Sequence, residues 1–247
     1  MTLLRVENLH KSFSGVHAVA DVSFNLAAGE ILALIGPNGA GKSTCFNLLN
    51  GQILPDRGRI IFADDDITGK APRDIFHLGV GRSFQVAATF ASMSARENVQ
   101  MALMSHARQI WRFDTPASQQ HAPEADTLLD QVGMAALAAR PCGTLAYGDL
   151  KRLELAVALA NAPRLLLMDE PTAGMAPAER HKLMKLVRRL AHDRNLGILF
   201  TEHDMGAVFS TADRILVMDR GALIAEGNPA EIRANPKVRA VYLGEEA

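Results

Sequence analysis

Cysteine is almost missing from this chain: Cys45 and Cys142 are the only two in 247 residues. They are too few and too scattered for a disulfide framework or a zinc site, which fits a reducing compartment. An excess of charge is missing as well. With 26 basic against 27 acidic residues the net charge is -1, so there is no basic field and nucleic acid is not an expected partner. No uncharged apolar run approaches the ~18 residues that a membrane helix needs. The N-terminus meets charges at once, at Arg5 and Glu7, and does not read as a signal peptide. Internal repeats and low-complexity tracts are lacking too. These absences lead to the expectation of a soluble, cytoplasmic chain that, at a membrane, must dock onto something that spans it. What is present is core-forming. Hydrophobic residues make up 48% and charged residues 21%, so packing is expected over disorder, in one large domain or a domain with a subdomain.

One stretch carries a phosphate-binding pattern. Gly36, Pro37, Asn38, Gly39, Ala40, Gly41, Lys42, Ser43 and Thr44 fit G-x-x-x-x-G-K-[ST]. Residues 31–35 before it are short, apolar and β-branched, as in a buried strand, and residues 45–50 after it read as a helix that stops at Gly51. In that setting backbone N–H groups converge on a phosphate, and the positive end of the helix dipole faces the same point. Lys42 is then placed to reach the β- and γ-phosphates and Ser43 to hold Mg²⁺. The competing reading, a glycine-rich turn with a solvated lysine, leaves the strand before it and the helix after it unexplained.

Elsewhere strands alternate with helices. Strands are expected at residues 3–9, 22–26, 59–62, 80–85, 164–168 and 197–201, with a closing pair at 214–219 and 222–226. Helices are expected at 72–78, after Gly148, at 178–193 and at 204–211, with a short helical tail from 229 to 242. Phe13 falls in a turn as an exposed-looking aromatic. Asp64, Asp65 and Asp66 read as a solvated turn. Residues 94–133 turn helical, with a polar stretch over 105–126 and no strand signal, and read as a helical subdomain inserted into an α/β core. The expected division is a first core part over 1–85, a helical subdomain over 86–160, a second core part over 161–228 and a tail over 229–247.

A second stretch adds chemistry. Residues 165–168 form an apolar strand that ends in Asp169 and Glu170. Two carboxylates at the end of a buried strand are costly unless a cation or a proton compensates. Beside a phosphate loop, Asp169 can serve Mg²⁺ and Glu170 can accept a proton from an attacking water.

With these motifs in this order, the chain resembles the ATP-binding subunit of an ABC transporter from about residue 3 to the end. The resemblance implies an α/β fold: an ABC-type P-loop NTPase core with a mostly parallel sheet, an N-terminal antiparallel β region and an inserted α-helical subdomain. It puts Phe13 where the family stacks adenine and Val19 where a small apolar contact to adenine is common. Gln85 stands where a glutamine touches Mg²⁺ and senses the membrane partner. Leu145, Ala146, Tyr147, Gly148 and Asp149 occupy the family signature, usually Leu-Ser-Gly-Gly-Gln. Asp169 becomes the magnesium aspartate, Glu170 the catalytic base and His203 the switch histidine, with Lys42 neutralising charge. Because the signature precedes a helix, it offers free N–H groups, and the family fold sets it far from its own phosphate loop. Two chains, identical or paralogous, would therefore sandwich two ATP molecules head to tail.

The signature form, its continuation through residues 151–156 and the ending over 224–244 resemble the branch that takes up branched-chain and other hydrophobic amino acids. That branch implies permease subunits, a solute-binding protein outside the membrane, and a peripheral place on the cytoplasmic face of the inner membrane. The alternatives are the ATPase of a lipopolysaccharide exporter, an amide or urea importer, a soluble ABC ATPase of DNA repair or translation, and a non-hydrolytic switch. Two residues depart from the family: Ala146 replaces the signature serine, and Ala176 stands where the loop after the catalytic acid usually has Asp or Asn.

Overall fold

Short apolar strands and helices follow one another in the order the hydrophobic pattern dictates. The computed structural model describes residues 1–83, 89–107 and 119–243. In chain order these form β1 (Thr2–Phe13), β2 (Val16–Ala27), β3 (Ile31–Ile35), α1 (Lys42–Leu49), β4 (Arg57–Phe62), β5 (Asp65–Asp66), α2 (Pro72–His77) and β6 (Val80–Ser83). Then come α3 (Ala95–His106), α4 (Ala122–Gln131), α5 (Tyr147–Leu159), β7 (Leu165–Asp169), α6 (Pro177–Arg194), β8 (Gly197–Thr201) and α7 (Met205–Thr211). β9 (Arg214–Asp219), β10 (Ala222–Gly227), α8 (Pro229–Ala234), α9 (Pro236–Val238) and a π-helical turn over Arg239–Leu243 close the described chain.

Among the described residues, one sheet has the order β10-β9-β3-β8-β7-β6 and the other β2-β1-β4-β5. The first is parallel except for β10, which returns antiparallel along β9. Its central strands send alternate side chains to opposite faces. Ile31, Ala33, Ile35, Ile198 and Phe200 enter one core, while Leu32, Leu34 and Leu199 enter the other. A sheet apolar on both faces needs cover on both. The first face is covered by α3, α4, α5 and α6, through residues such as Val99, Leu129, Leu153 and Val187. The second is covered by α1 and the antiparallel sheet, through Phe46, Leu4, Phe24 and Phe62.

The expected α/β architecture is present, with differences at element ends. β1 runs beyond residue 9 to Phe13, because Val16 pairs with Phe13 across the turn at Ser14 and Gly15. Phe13 therefore ends a strand, although it is exposed as expected. Asp65 and Asp66 are exposed but pair with β4 rather than forming only a turn. The polar stretch is partly helical: α3 extends to His106 and α4 begins at Ala122. Ser94 starts α3 with a reciprocal cap, accepting from the Glu97 amide at 3.2 Å while Glu97 accepts from the Ser94 amide at 2.7 Å. The tail breaks at Asn235, whose side chain starts a new turn at Pro236.

Candidate functional site

Adjacent parallel strands bring the chemistry together. β3, β8 and β7 are neighbours, with Ala33 opposite Phe200 and Asp169 opposite Thr201. Their C-terminal ends therefore lie side by side, about 4.8 Å apart. One end opens into the phosphate loop, the next into Glu202 and His203, and the third into Glu170.

Glycine is required twice in the loop. A Cβ on Gly36 (φ 153°) would sit 2.1 Å from the Met218 carbonyl oxygen, and one on Gly41 (φ 102°) would sit 2.1 Å from that of Ala18. Only glycine lets the loop lie this close to β2 and β9. Gly41 is also the N-cap of α1 and offers no side-chain acceptor, so the first amides of α1 are available to an anion. The Lys42 ammonium donates to the carbonyls of Gly36 (2.6 Å) and Pro37 (3.0 Å). Its burial lowers the pKa of Lys42, against the opposing pull of the Glu170 and Asp169 charges.

The two strand-end carboxylates have different surroundings. Asp169 Oδ1 accepts from the Thr201 hydroxyl at 2.7 Å, and Oδ2 lies 3.5 Å from the Arg82 guanidinium. Glu170 adopts a left-handed backbone (φ 48°) that is unfavourable for a residue with a side chain. Its amide donates to both the carbonyl and the hydroxyl of Thr201, each at 3.1 Å, which holds it there. Glu170 Oε1 is 2.9 Å from His203 Nε2. Glu202, 3% exposed, accepts from the Thr172 amide at 2.7 Å and from the His203 amide at 3.1 Å. It thus ties the loop after Glu170 to the histidine.

A cavity of about 210 Å³ is lined by Ala18, residues 38–44, Glu170 and His203. The fold thus gathers the phosphate loop, the carboxylate and the histidine around one space. Asp169 stands behind it, engaged by Thr201 and Arg82. Phe13 is 45% exposed at the end of β1, with the Lys11 ammonium 5.4 Å from its ring centroid, and does not line the cavity. Val19 is wholly buried in the core beneath the antiparallel sheet, so the expected adenine contact is not available to it, and Ala18 lines the cavity instead. Gln85 lies outside the described residues.

Residues 145–149, the expected signature, lie elsewhere. Ala146 caps α5 and, with Gly148 and Asp149, lines a separate space of about 520 Å³ that also touches Met175 and Glu179. None of residues 145–149 lines the phosphate cavity. Ala176 caps α6 with nearly the same backbone, and neither alanine supplies a capping acceptor. Tyr147 bridges the two regions of one chain: its hydroxyl donates to the Ala173 carbonyl at 3.0 Å.

The sequence reading missed the roles of Thr201, Glu202 and Arg82. A signal was available for the first two. An apolar strand that ends in Thr201 and Glu202 repeats the logic of the strand that ends in Asp169 and Glu170.

Strand, glycine loop, helix and an adjacent strand-end glutamate define a P-loop nucleotide-hydrolysing domain of the ATP-binding-cassette type. The chain belongs to the ABC transporter family, as an ATP-binding, ATP-hydrolysing subunit: the family model for "ABC transporter" matches residues 19–173. A second model, for "Branched-chain amino acid ATP-binding cassette transporter", matches residues 222–247. The chain is 40% identical over 250 residues to the high-affinity branched-chain amino acid transport ATP-binding protein of Pseudomonas aeruginosa, covering 98% of each. It is 35% identical over 244 residues to the lipopolysaccharide export system ATP-binding protein of Acidithiobacillus ferridurans, covering 99% of this chain and 98% of that one. A crystal structure of the ADP conformation of an ATP-binding cassette superposes with a TM-score of 0.88 at 31% identity, covering 99% of this chain and all of the other. Among the described residues no helix is long and apolar enough to cross a membrane.

Proposed function

We propose that this chain hydrolyses ATP to power uptake of branched-chain or other hydrophobic amino acids through a membrane permease. The observation that carries the chemistry is the cavity shared by Lys42, Ser43, Glu170 and His203. The amides of residues 39–44 hold the phosphates, and Lys42 exchanges the Gly36 and Pro37 carbonyls for β- and γ-phosphate oxygens. Glu170 orients the attacking water and takes its proton. His203, in contact with Glu170 and held by Glu202, supports the γ-phosphate side. Ser43 and Asp169 offer hard oxygen donors that suit Mg²⁺, with Gln85 as a further candidate, and the ion would neutralise phosphate charge. Phe13 serves as the adenine platform.

Residues 145–149 act on ATP held by a second chain, identical or paralogous, so the working unit is a dimer. Their separation from the phosphate cavity supports this reading. Closing and opening of the dimer moves the permease between its two faces, and a solute-binding protein delivers the amino acid from outside. The chain then sits peripherally on the cytoplasmic face of the inner membrane. The match of residues 222–247 to the branched-chain amino acid model favours this branch over the lipopolysaccharide exporter. The experiment is reconstitution of the chain with its permease and binding protein in vesicles, assayed for ATPase stimulation by each amino acid. Stimulation by leucine, isoleucine or valine supports the proposal. Stimulation only by urea, amides or lipopolysaccharide overturns the substrate assignment.

A further inference from the structure

Glu170 and His203 meet at 2.9 Å, yet neither side chain is packed tightly: they are 26% and 46% exposed. Side chains this open are not held by a wall of neighbours, so their alignment has to come from the backbone that carries them. Under Glu170 that backbone is awkward. Glu170 has φ 48° and precedes Pro171, and a residue before proline favours extended backbone. Pro171 has no N–H with which to anchor the turn, so Thr172 carries the next amide. The Ala173 amide donates back to the Glu170 carbonyl at 3.1 Å, and the Met175 amide to the Thr172 carbonyl at 3.1 Å. The turn is tight, and whatever fixes the Thr172 amide fixes the turn that carries Glu170.

The buried Glu202 carboxylate does this, giving one oxygen to each of two loops. Oε1 accepts from the Thr172 amide at 2.7 Å and Oε2 from the His203 amide at 3.1 Å. Thr172 is buried too, so water offers its amide no alternative. Among the described residues no cation forms an ion pair with Glu202. A buried carboxylate without a cation is a costly way to meet two amides. What it supplies in return is two acceptor oxygens at one fixed spacing, on the residue next to His203. Thr201, one residue earlier, holds the amide of Glu170 itself, and Asp204, just after His203, caps α7. Of these three side chains, Glu202 is the one that joins the loop of Glu170 to the backbone of His203.

We propose that Glu202 is a positioning residue for the hydrolytic step: its carboxylate locks the two loops in one register and so keeps Glu170 and His203 in contact while ATP is bound. The inference rests on the reading that Glu170 and His203 act on ATP, and it adds the residue that aligns them. Glu202 does not line the phosphate cavity, so it acts through the pair and not on the nucleotide. Removing its grip leaves Lys42 and the amides of residues 39–44 in place, because they stand on β3 and α1. The two catalytic side chains, by contrast, lose the support that sets their spacing. A misplacement of about 1 Å at reacting groups can cost about 100-fold in rate.

The test is steady-state ATPase of the chain with its permease, reading kcat and KM separately, with nucleotide affinity and Tm of the free chain as controls. Glu202→Gln keeps the length but leaves one amide facing an NH₂ group instead of an acceptor. Glu202→Asp keeps the charge, but its shorter side chain reaches one amide at a time. The expected result for each is a kcat lower by about 10- to 100-fold, with KM for ATP and nucleotide affinity within about 2-fold of wild type. Wild-type kcat in either variant overturns the proposal. So does a fall in nucleotide affinity as large as the fall in kcat, which would mark a structural role in the whole site. If Glu202→Gln lowers Tm to the assay temperature, Glu202→Asp decides on the same readings. A wild-type complex that hydrolyses no ATP overturns instead the reading on which the proposal rests.

Discussion

Ala146→Ser tests the signature segment from two directions. Ala146 is the N-cap of α5 with φ -65° and ψ 153°, and no side chain accepts from the first turn. Ser94 caps α3 with almost the same backbone, φ -67° and ψ 164°, and there the serine does accept. A serine at position 146 therefore finds its capping geometry already built and should not strain the chain. Replacing alanine by serine at an N-cap contributes about 1 kcal/mol, and in a domain this size that raises Tm by about 2–4 °C. A hydroxyl accepts and donates at once, so the same serine can also donate to the γ-phosphate on the partner chain. A hydrogen bond to a charged group contributes about 1.5–3 kcal/mol, or roughly 10- to 150-fold in ATP-dependent association. The assays are thermal unfolding of the free chain and ATP-driven dimerisation of a hydrolysis-deficient variant, with and without the added serine. An unchanged Tm refutes the uncapped helix end. A raised Tm with unchanged dimerisation refutes the claim that this helix end faces a second chain's nucleotide.

Two further perturbations follow from the geometry. Tyr147→Phe removes the bond to the Ala173 carbonyl; because the ring is half exposed, the cost should be at most about 1 kcal/mol in urea unfolding, and a larger loss would mean that the ring itself is core. Asp204 caps α7 by accepting from the Ala207 amide at 2.8 Å and pairs with Arg180 at 2.6 Å. The Ala207 amide bond, helped by Arg180, lowers its pKa from the ordinary 3.8. Its contribution is therefore fully present above that value and is lost as pH falls below it, through the depressed folded-state pKa. Asp204→Ala should cost about 1 kcal/mol at neutral pH and flatten the acid limb of stability against pH. An unaltered acid limb would show that Asp204 does not titrate with folding.

Much of the fold was legible because its period is strong. β3 and β8 match the expected strands residue for residue, since strands apolar on both faces stand out between turn residues. The phosphate loop was legible because packing demands its glycines: Gly36 and Gly41 abut carbonyl oxygens that no Cβ could pass. Element ends were less legible. Nothing local distinguishes a turn before Phe13 from a strand that continues to it, because the pairing partner Val16 decides. Val19 and Ala18 differ by one residue in a strand, which exchanges core for cavity. The hold of Glu202 on Thr172 spans 30 residues of chain and depends on β7 lying beside β8.

The central claim is that Glu170 activates water against ATP held in the phosphate cavity. The most direct test is steady-state ATPase of the chain with its permease, comparing wild type with Glu170→Gln. The expected result is a fall in kcat of about 10²- to 10⁴-fold with ATP affinity retained, because Lys42 and the loop amides are untouched. Turnover that survives the substitution, or a wild-type complex that releases no phosphate, would contradict the account.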